Sequence, residues 1–95
     1  MKVRFLETAI RDLDWFFTYY HGVFPAGLAN AKNGYYRTKK LLGQNPFAGH
    51  ETEQSNVREF PVLRTPFQFI YRVTSQEVQI IRVWDSGAKR PSKWT

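Results

Sequence analysis

The stretch Asn56-Val-Arg-Glu-Phe-Pro-Val-Leu-Arg-Thr-Pro-Phe-Gln-Phe-Ile-Tyr-Arg-Val-Thr-Ser-Gln-Glu-Val-Gln-Ile-Ile-Arg-Val-Trp-Asp85 decides how this chain folds. It reads as three strands joined by two short turns. Phe67, Phe69, Tyr71 and Val73 recur at the strand period of two, with Ile70 on the opposite side. Val78, Ile80 and Trp84, then Ile81 and Val83, place apolar residues on both faces of the last strand. β-Branched and aromatic residues at this density fit a strand covered on both sides. Thr74-Ser-Gln-Glu77 has the chemistry and length of a hairpin loop, and Arg64-Thr-Pro66 separates the other pair. Pro61 lacks a backbone donor, so its strand lies at an edge, is bulged, or is bonded on one side only at that point.

The chain before this block predicts a strand and two helices. Lys2 to Leu6 alternates apolar and basic residues as a charged edge strand does. Thr8 is the expected N-cap of a first helix, with Asp12 and Asp14 early in it. Ile10, Leu13, Phe16, Phe17 and Tyr20 share its inner face. Trp15 and Tyr19 fall on the other side, one turn apart, where a core-facing stripe does not explain them. Gly22 ends this helix, and Phe24-Pro25 opens a second whose inner face is Leu28, Ala31, Tyr35 and Leu42. Gly34 in its interior implies close packing against the first helix. Gly43 and Pro46 stop it. Gln44 to Ser55 reads as a polar loop. The predicted fold is α+β: an N-terminal strand, an antiparallel α-hairpin and a three-stranded antiparallel meander, in the order β-α-α-β-β-β. Residues 1–95 form a single domain, and 86–95 form a short basic tail whose plain reading is disorder.

Composition narrows the function. The 95 residues carry 14 basic and 8 acidic side chains, a net charge of +6, which suits an anionic partner. There is no cysteine, so no disulfide or thiolate site exists. His21 and His50 lack partners at ligand spacing, so no metal is expected, and no cofactor motif is present. No apolar run reaches the roughly 20 residues of a membrane span, and the charged first residues are not a signal peptide. The expected location is cytoplasmic, without membrane contact. Four arginines stand inside the apolar block: Arg58, Arg64, Arg72 and Arg82. Each requires water, a carboxylate or an anionic partner. The neighbouring acids Glu59, Glu77 and Asp85 offer internal pairing for them. Lys89, Arg90, Lys93 and Trp94 in the tail combine charge and an aromatic ring in a way that suits phosphate contact and stacking.

The element order, Asn45-Pro46 after the second helix, and the text Val57-Arg58-Glu59, Arg64-Thr65-Pro66-Phe67, Ile70-Tyr71-Arg72-Val73 and Ile81-Arg82-Val83-Trp84-Asp85 resemble the RelE/ParE superfamily of bacterial toxins. The resemblance spans nearly the whole chain by element order and is sharp from Asn56 to about Gly87. It implies the toxin half of a type II toxin–antitoxin pair, held inactive by a cognate antitoxin whose C-terminal segment wraps the helical hairpin and sheet. Trp15, Tyr19 and Tyr36 are the candidate antitoxin contacts, since large aromatic side chains anchor interfaces. RelE-like members cut messenger RNA on the ribosome with a set of basic residues and a late tyrosine or histidine. Here the expected basic pair reduces to Arg58, Gln68 stands where an arginine is expected, and no Tyr or His follows Tyr71. No catalytic residue is assigned. The closer likeness is to ParE-like members, which poison DNA gyrase by binding. Candidate target contacts are Arg58, Arg64, Arg72, Arg82, Lys89, Arg90 and Trp94. The alternatives are a ribosome-dependent endoribonuclease acting on ribosome-bound mRNA, and a degenerate, non-toxic antitoxin-binding member.

Overall fold

A computed structural model describes residues 1–94; Thr95, the last residue of the basic tail, lies outside the described residues. Strand β1 (Lys2–Phe5) leads into helix α1 (Glu7–Val23), a 3-10 turn over Pro25–Gly27, and helix α2 (Leu28–Gln44). Four further strands follow: β2 (His50–Glu51), β3 (Arg58–Pro61), β4 (Phe67–Val73) and β5 (Glu77–Asp85). They form one sheet in the order β1-β5-β4-β3-β2. The expected α+β order holds, and the sheet is larger and mixed. β1 runs parallel to β5, and the two-residue β2, inside the segment expected to be loop, pairs with β3. Pro61 sits on β3 beyond the reach of β2, where the missing N–H costs no ladder bond.

The helical hairpin covers one face of the sheet. Phe67, Phe69 and Tyr71 from β4 and Val78, Ile80 and Val83 from β5 meet Ala9, Phe16, Tyr20, Ala31 and Leu42 from the helices. Ile70 and Ile81 point to the other face, with Val57. Both faces of β5 are apolar because its register slips: Tyr71 pairs with Ile80 but Ile70 with Arg82, leaving Ile81 as an extra residue. The Thr74–Glu77 hairpin is closed by the Thr74 N–H donating to the Glu77 carbonyl, at 2.9 Å.

Three local expectations change. Helix α1 begins at Glu7 with Leu6 as its uncapped N-terminal residue. Thr8 does not cap it; its hydroxyl donates to the Ile81 carbonyl at 2.9 Å, tying the helix start to β5. Ile10 is 56 % exposed and Ala9 takes the inner position, because α1 starts beside the β5 edge rather than over the sheet centre. Gly34 makes no room for α1. A Cβ there would overlap the Leu63 carbonyl oxygen in the β3–β4 connection, and Thr38 Oγ1 accepts the Leu63 N–H at 3.1 Å.

Among the described residues, no helix is long and apolar enough to cross a membrane, and no group of His, Cys, Asp or Glu is gathered to hold a metal ion.

Candidate functional site

Most of the arginines singled out in the sequence are held within the fold. Arg58 donates to the Gly49 carbonyl at 2.9 Å, lies 3.4 Å from Glu51 Oε1, and covers the Phe47 ring at 5.1 Å. It fastens the loop between α2 and β3 rather than pairing with its neighbour Glu59. Tyr71 fastens the same loop from below: its hydroxyl donates to the Pro46 carbonyl and accepts the Gly49 N–H, both at 2.8 Å. Gly49 is required there because a Cβ would collide with the Tyr71 ring and the Glu59 carbonyl. Burial, the largest influence, raises the Tyr71 pKa above its ordinary value.

Arg82 and Arg72 do not pair with Asp85. Arg82 Nε donates to Asp12 Oδ2 at 2.7 Å and Nη2 to Oδ1 at 3.1 Å. That hydrogen bond raises the Arg82 pKa. Arg72 Nε donates to Gln79 Oε1 at 2.7 Å. Gln79 Nε2 in turn donates to Glu77 at 2.6 Å, and Glu77 also accepts a bidentate pair from Arg4. A polar ladder therefore crosses one end of the outer sheet face. Its hydrogen bonds from Arg4 and then Gln79 lower the Glu77 pKa to about 2.

The tail is not loose over its described length. It folds back across the outer sheet face, and Trp94 is only 8 % exposed, packed with Val57, Ile70, Ile81 and Trp84. The two indoles meet edge to face at 5.1 Å, and the Trp94 backbone N–H donates to Gln54 Oε1 at 2.7 Å. Arg90 lies over the Trp94 ring at 5.1 Å and pairs with Glu59 at 2.8 Å. Trp94, read as a stacking residue for a target, is thus a core side chain here. The sheet face opposite the helices carries Val57, Ile70 and Ile81, and Trp94 covers this apolar patch. Lys89 is exposed with no ion pair among the described residues, as is Arg64.

Trp15, Tyr19 and Tyr36 on the helices lie outside the core. Trp15 is 53 % exposed and Tyr19 36 %, stacked on each other at 5.5 Å and 24°. Trp15 rests edge-on against buried Phe67 at 5.6 Å. Tyr36 on α2 is 63 % exposed, and its ring meets Tyr35 at 5.0 Å. Phe24 and Phe47 are exposed as well. Sequence reasoning did not single out those two, although their position beside a proline, at Phe24-Pro25 and Pro46-Phe47, marks them as connection residues that helix phase cannot place.

This is a helical hairpin on a five-stranded mixed sheet, with free aromatic rings on the helices and most charges on the sheet paired internally. It is the ParE-like α+β fold. Compared with solved structures, the chain is similar to a chain of the chromosomal ParDE toxin–antitoxin system from P. aeruginosa. The TM-score is 0.70 at 29% identity, over 87% of this chain and 92% of that one. Neither the protein-family profiles nor the curated proteins compared with it gave a match. The likeness in fold and sequence bears out the resemblance to the RelE/ParE superfamily and its ParE-like members.

Proposed function

We propose that this chain is the toxin of a type II toxin–antitoxin pair, kept inactive in the cytoplasm by a cognate antitoxin, and that it acts by binding DNA gyrase rather than by cutting RNA. The similarity to a ParDE chain over nearly its full length is the observation that carries this reading. The state of the charged residues supports binding over catalysis. Arg58, Arg82 and Arg90 are engaged with Glu51, Asp12 and Glu59. Tyr71, the last tyrosine of the chain, spends its hydroxyl on two backbone groups. An acid or base for attack by a 2′-hydroxyl needs a group free to take or give a proton at the reacting atom. The stacked Trp15–Tyr19 pair and Tyr36 are the surfaces offered to the antitoxin, since exposed aromatic rings contribute large buried area to an interface.

The test is a supercoiling assay with purified DNA gyrase beside a translating extract programmed with a defined transcript. The reading expects inhibition or stabilised DNA cleavage in the first and an intact transcript in the second. Codon-phased cuts in the transcript, with gyrase unaffected, would replace it by the ribonuclease reading.

A further inference from the structure

Helix α2 carries Lys32, Arg37, Lys39 and Lys40 and no acidic residue. The ion pairs among the described residues use Arg4, Arg11, Arg58, Arg82 and Arg90, none of them on α2. Helix α1 mixes both signs and pairs Glu7 with Arg11 one turn on, as a solvated face does. On α2, Asn33, Arg37, Lys40 and Gln44 are spaced four, three and four apart, so they share one exposed face, with Tyr36 at its border. Arg37 and Lys40 are neighbours there, and no carboxylate three or four residues away offsets their repulsion. The helix dipole does not account for them. It favours cations in the last turn, where α2 has no basic residue.

A further cation joins this face from outside the helix. The β3–β4 connection is locked onto α2: the Leu63 carbonyl enters the space left by Gly34, and Thr38 Oγ1 accepts the Leu63 N–H. So held, Arg64 adopts a φ of 61°, a left-handed conformation that a residue with a side chain seldom takes. Strain of this kind persists only where surrounding structure enforces it, and it collects at functional sites. Here it sets exposed Arg64 beside Arg37 and Asn33 around one surface hollow, and neither arginine has an ion pair among the described residues.

Arg, Lys, Asn, Gln and Tyr are side chains that bond phosphate and sugar along a duplex. From Asn33 to Gln44 the stripe runs about 16 Å, the rise of about five base pairs. The centre of a protein-binding patch is poor in lysine, and this stripe presents no aliphatic side chain. A single strand needs open rings for stacking. Tyr36 is the stripe's one ring, and it already meets Tyr35 edge to face. A second copy of this chain would bring like charge to like charge.

We propose that the outer face of α2 binds the phosphate backbone of duplex DNA, without regard to sequence. Arg37, Lys40 and Arg64 neutralise phosphates, and Asn33, Gln44 and Tyr36 hydrogen-bond to the backbone beside them. This deepens the gyrase reading and rests on it at one point: DNA is named over duplex RNA because gyrase works on duplex DNA. The toxin then holds its target's substrate as well as its target.

The experiment is fluorescence anisotropy of a labelled DNA duplex of mixed sequence, titrated with the intact chain at a series of salt concentrations. The expected binding is micromolar at low salt and equal for unrelated sequences. The logarithm of the binding constant falls against that of salt with a slope of about −3, for the phosphates met by Arg37, Lys40 and Arg64. Arg37→Gln/Lys40→Gln lowers affinity at least about tenfold at low salt and reduces the slope by about two. Arg11→Gln/Lys93→Gln removes the same charge elsewhere and leaves the slope unchanged. All four side chains are exposed, and an unchanged melting temperature confirms that each variant folds. The proposal is overturned by no binding at low salt, by equal losses in the two double variants, or by tighter binding of a duplex RNA of the same length. Competition by poly-glutamate as effective as unlabelled DNA of equal charge also overturns it, in favour of an acidic protein. The assay contains no gyrase, so the two readings fail separately. Duplex binding with supercoiling unimpaired keeps this surface and removes the target; inhibited supercoiling without duplex binding does the reverse.

Discussion

Asp12 on α1 accepts from Arg82 on β5 with both carboxylate oxygens, at 2.7 and 3.1 Å, and also takes the Val83 N–H at 2.9 Å. Beyond Phe5, β1 no longer covers the edge of β5. Thr8 and Asp12 take its place, so two side chains of a helix complete the strand's hydrogen bonding. Asp12→Ala leaves a part-buried guanidinium and a backbone donor without partners. The expected loss is about 2 kcal/mol, the scale for hydrogen bonds to charged groups. Asp12→Asn, which retains an acceptor, loses about half as much. Urea unfolding of the three proteins measures this, and equal stability of all three would contradict it.

Trp94 packs on the outer sheet face beside Trp84, at the end of a tail whose residues 86–93 are exposed. Trp94→Ala should cost about 2 kcal/mol, below the range for a central aromatic because the tail can relax. It should also uncover Ile70 and Ile81 and increase binding of a hydrophobic dye. Trp94→Phe should recover more than half of the loss. A melting temperature unchanged by the alanine substitution would show that the tail does not hold this position in solution.

Two glycines should respond oppositely to alanine. Gly34→Ala drives a methyl group into the Leu63 carbonyl. The displaced backbone costs roughly 1–3 kcal/mol, the overpacking range, and exceeds the gain in helix propensity. Gly22 in the last turn of α1 has nothing within 4 Å of a new Cβ. Gly22→Ala should therefore stabilise by about 0.5–1 kcal/mol. Thermal melts of both variants check the signs.

Glu77 gives the acid limb a defined window. Its pKa falls from an ordinary 4.5 to about 2 through hydrogen bonds from Arg4 and Gln79. The unfolded chain therefore binds its proton first as pH drops. The stability from this group is present above pH 4.5 and is lost as pH falls toward about 2. Glu77→Gln removes that dependence. The stability difference between wild type and variant should shrink steadily across this window, as followed by unfolding at a series of pH values. A constant difference would place the effect elsewhere.

The parts of this fold that sequence made legible are those encoded by local period. Phe67, Phe69 and Tyr71 announced the central strand. The phase of α1 separated Trp15 and Tyr19 from Phe16 and Tyr20, and both proved exposed. The parts that depend on partners distant in the chain were not legible. Asp12 and Arg82 are 70 positions apart, so Asp12 read only as an early-helix charge. The bulge at Ile81 exists only in relation to β4. Strand β2 is two residues without β-forming character, brought into the sheet because Arg58 and Tyr71 clamp the loop before it. Trp94 stands alone among Pro, Ser and Lys, and no pattern indicates that the outer face of the sheet will receive it. Gly34 was legible as a close approach, but its neighbour was not: a glycine marks missing volume and does not say which backbone fills it.

The proposed toxin arrests cells by binding and not by cutting RNA. Inducible expression of the chain alone, with viability, cell shape and transcript integrity followed together, tests it most directly. The expected result is loss of viability with filamentation and intact transcripts. Abrupt translation arrest with codon-phased transcript cleavage would contradict it, and so would normal growth at full expression.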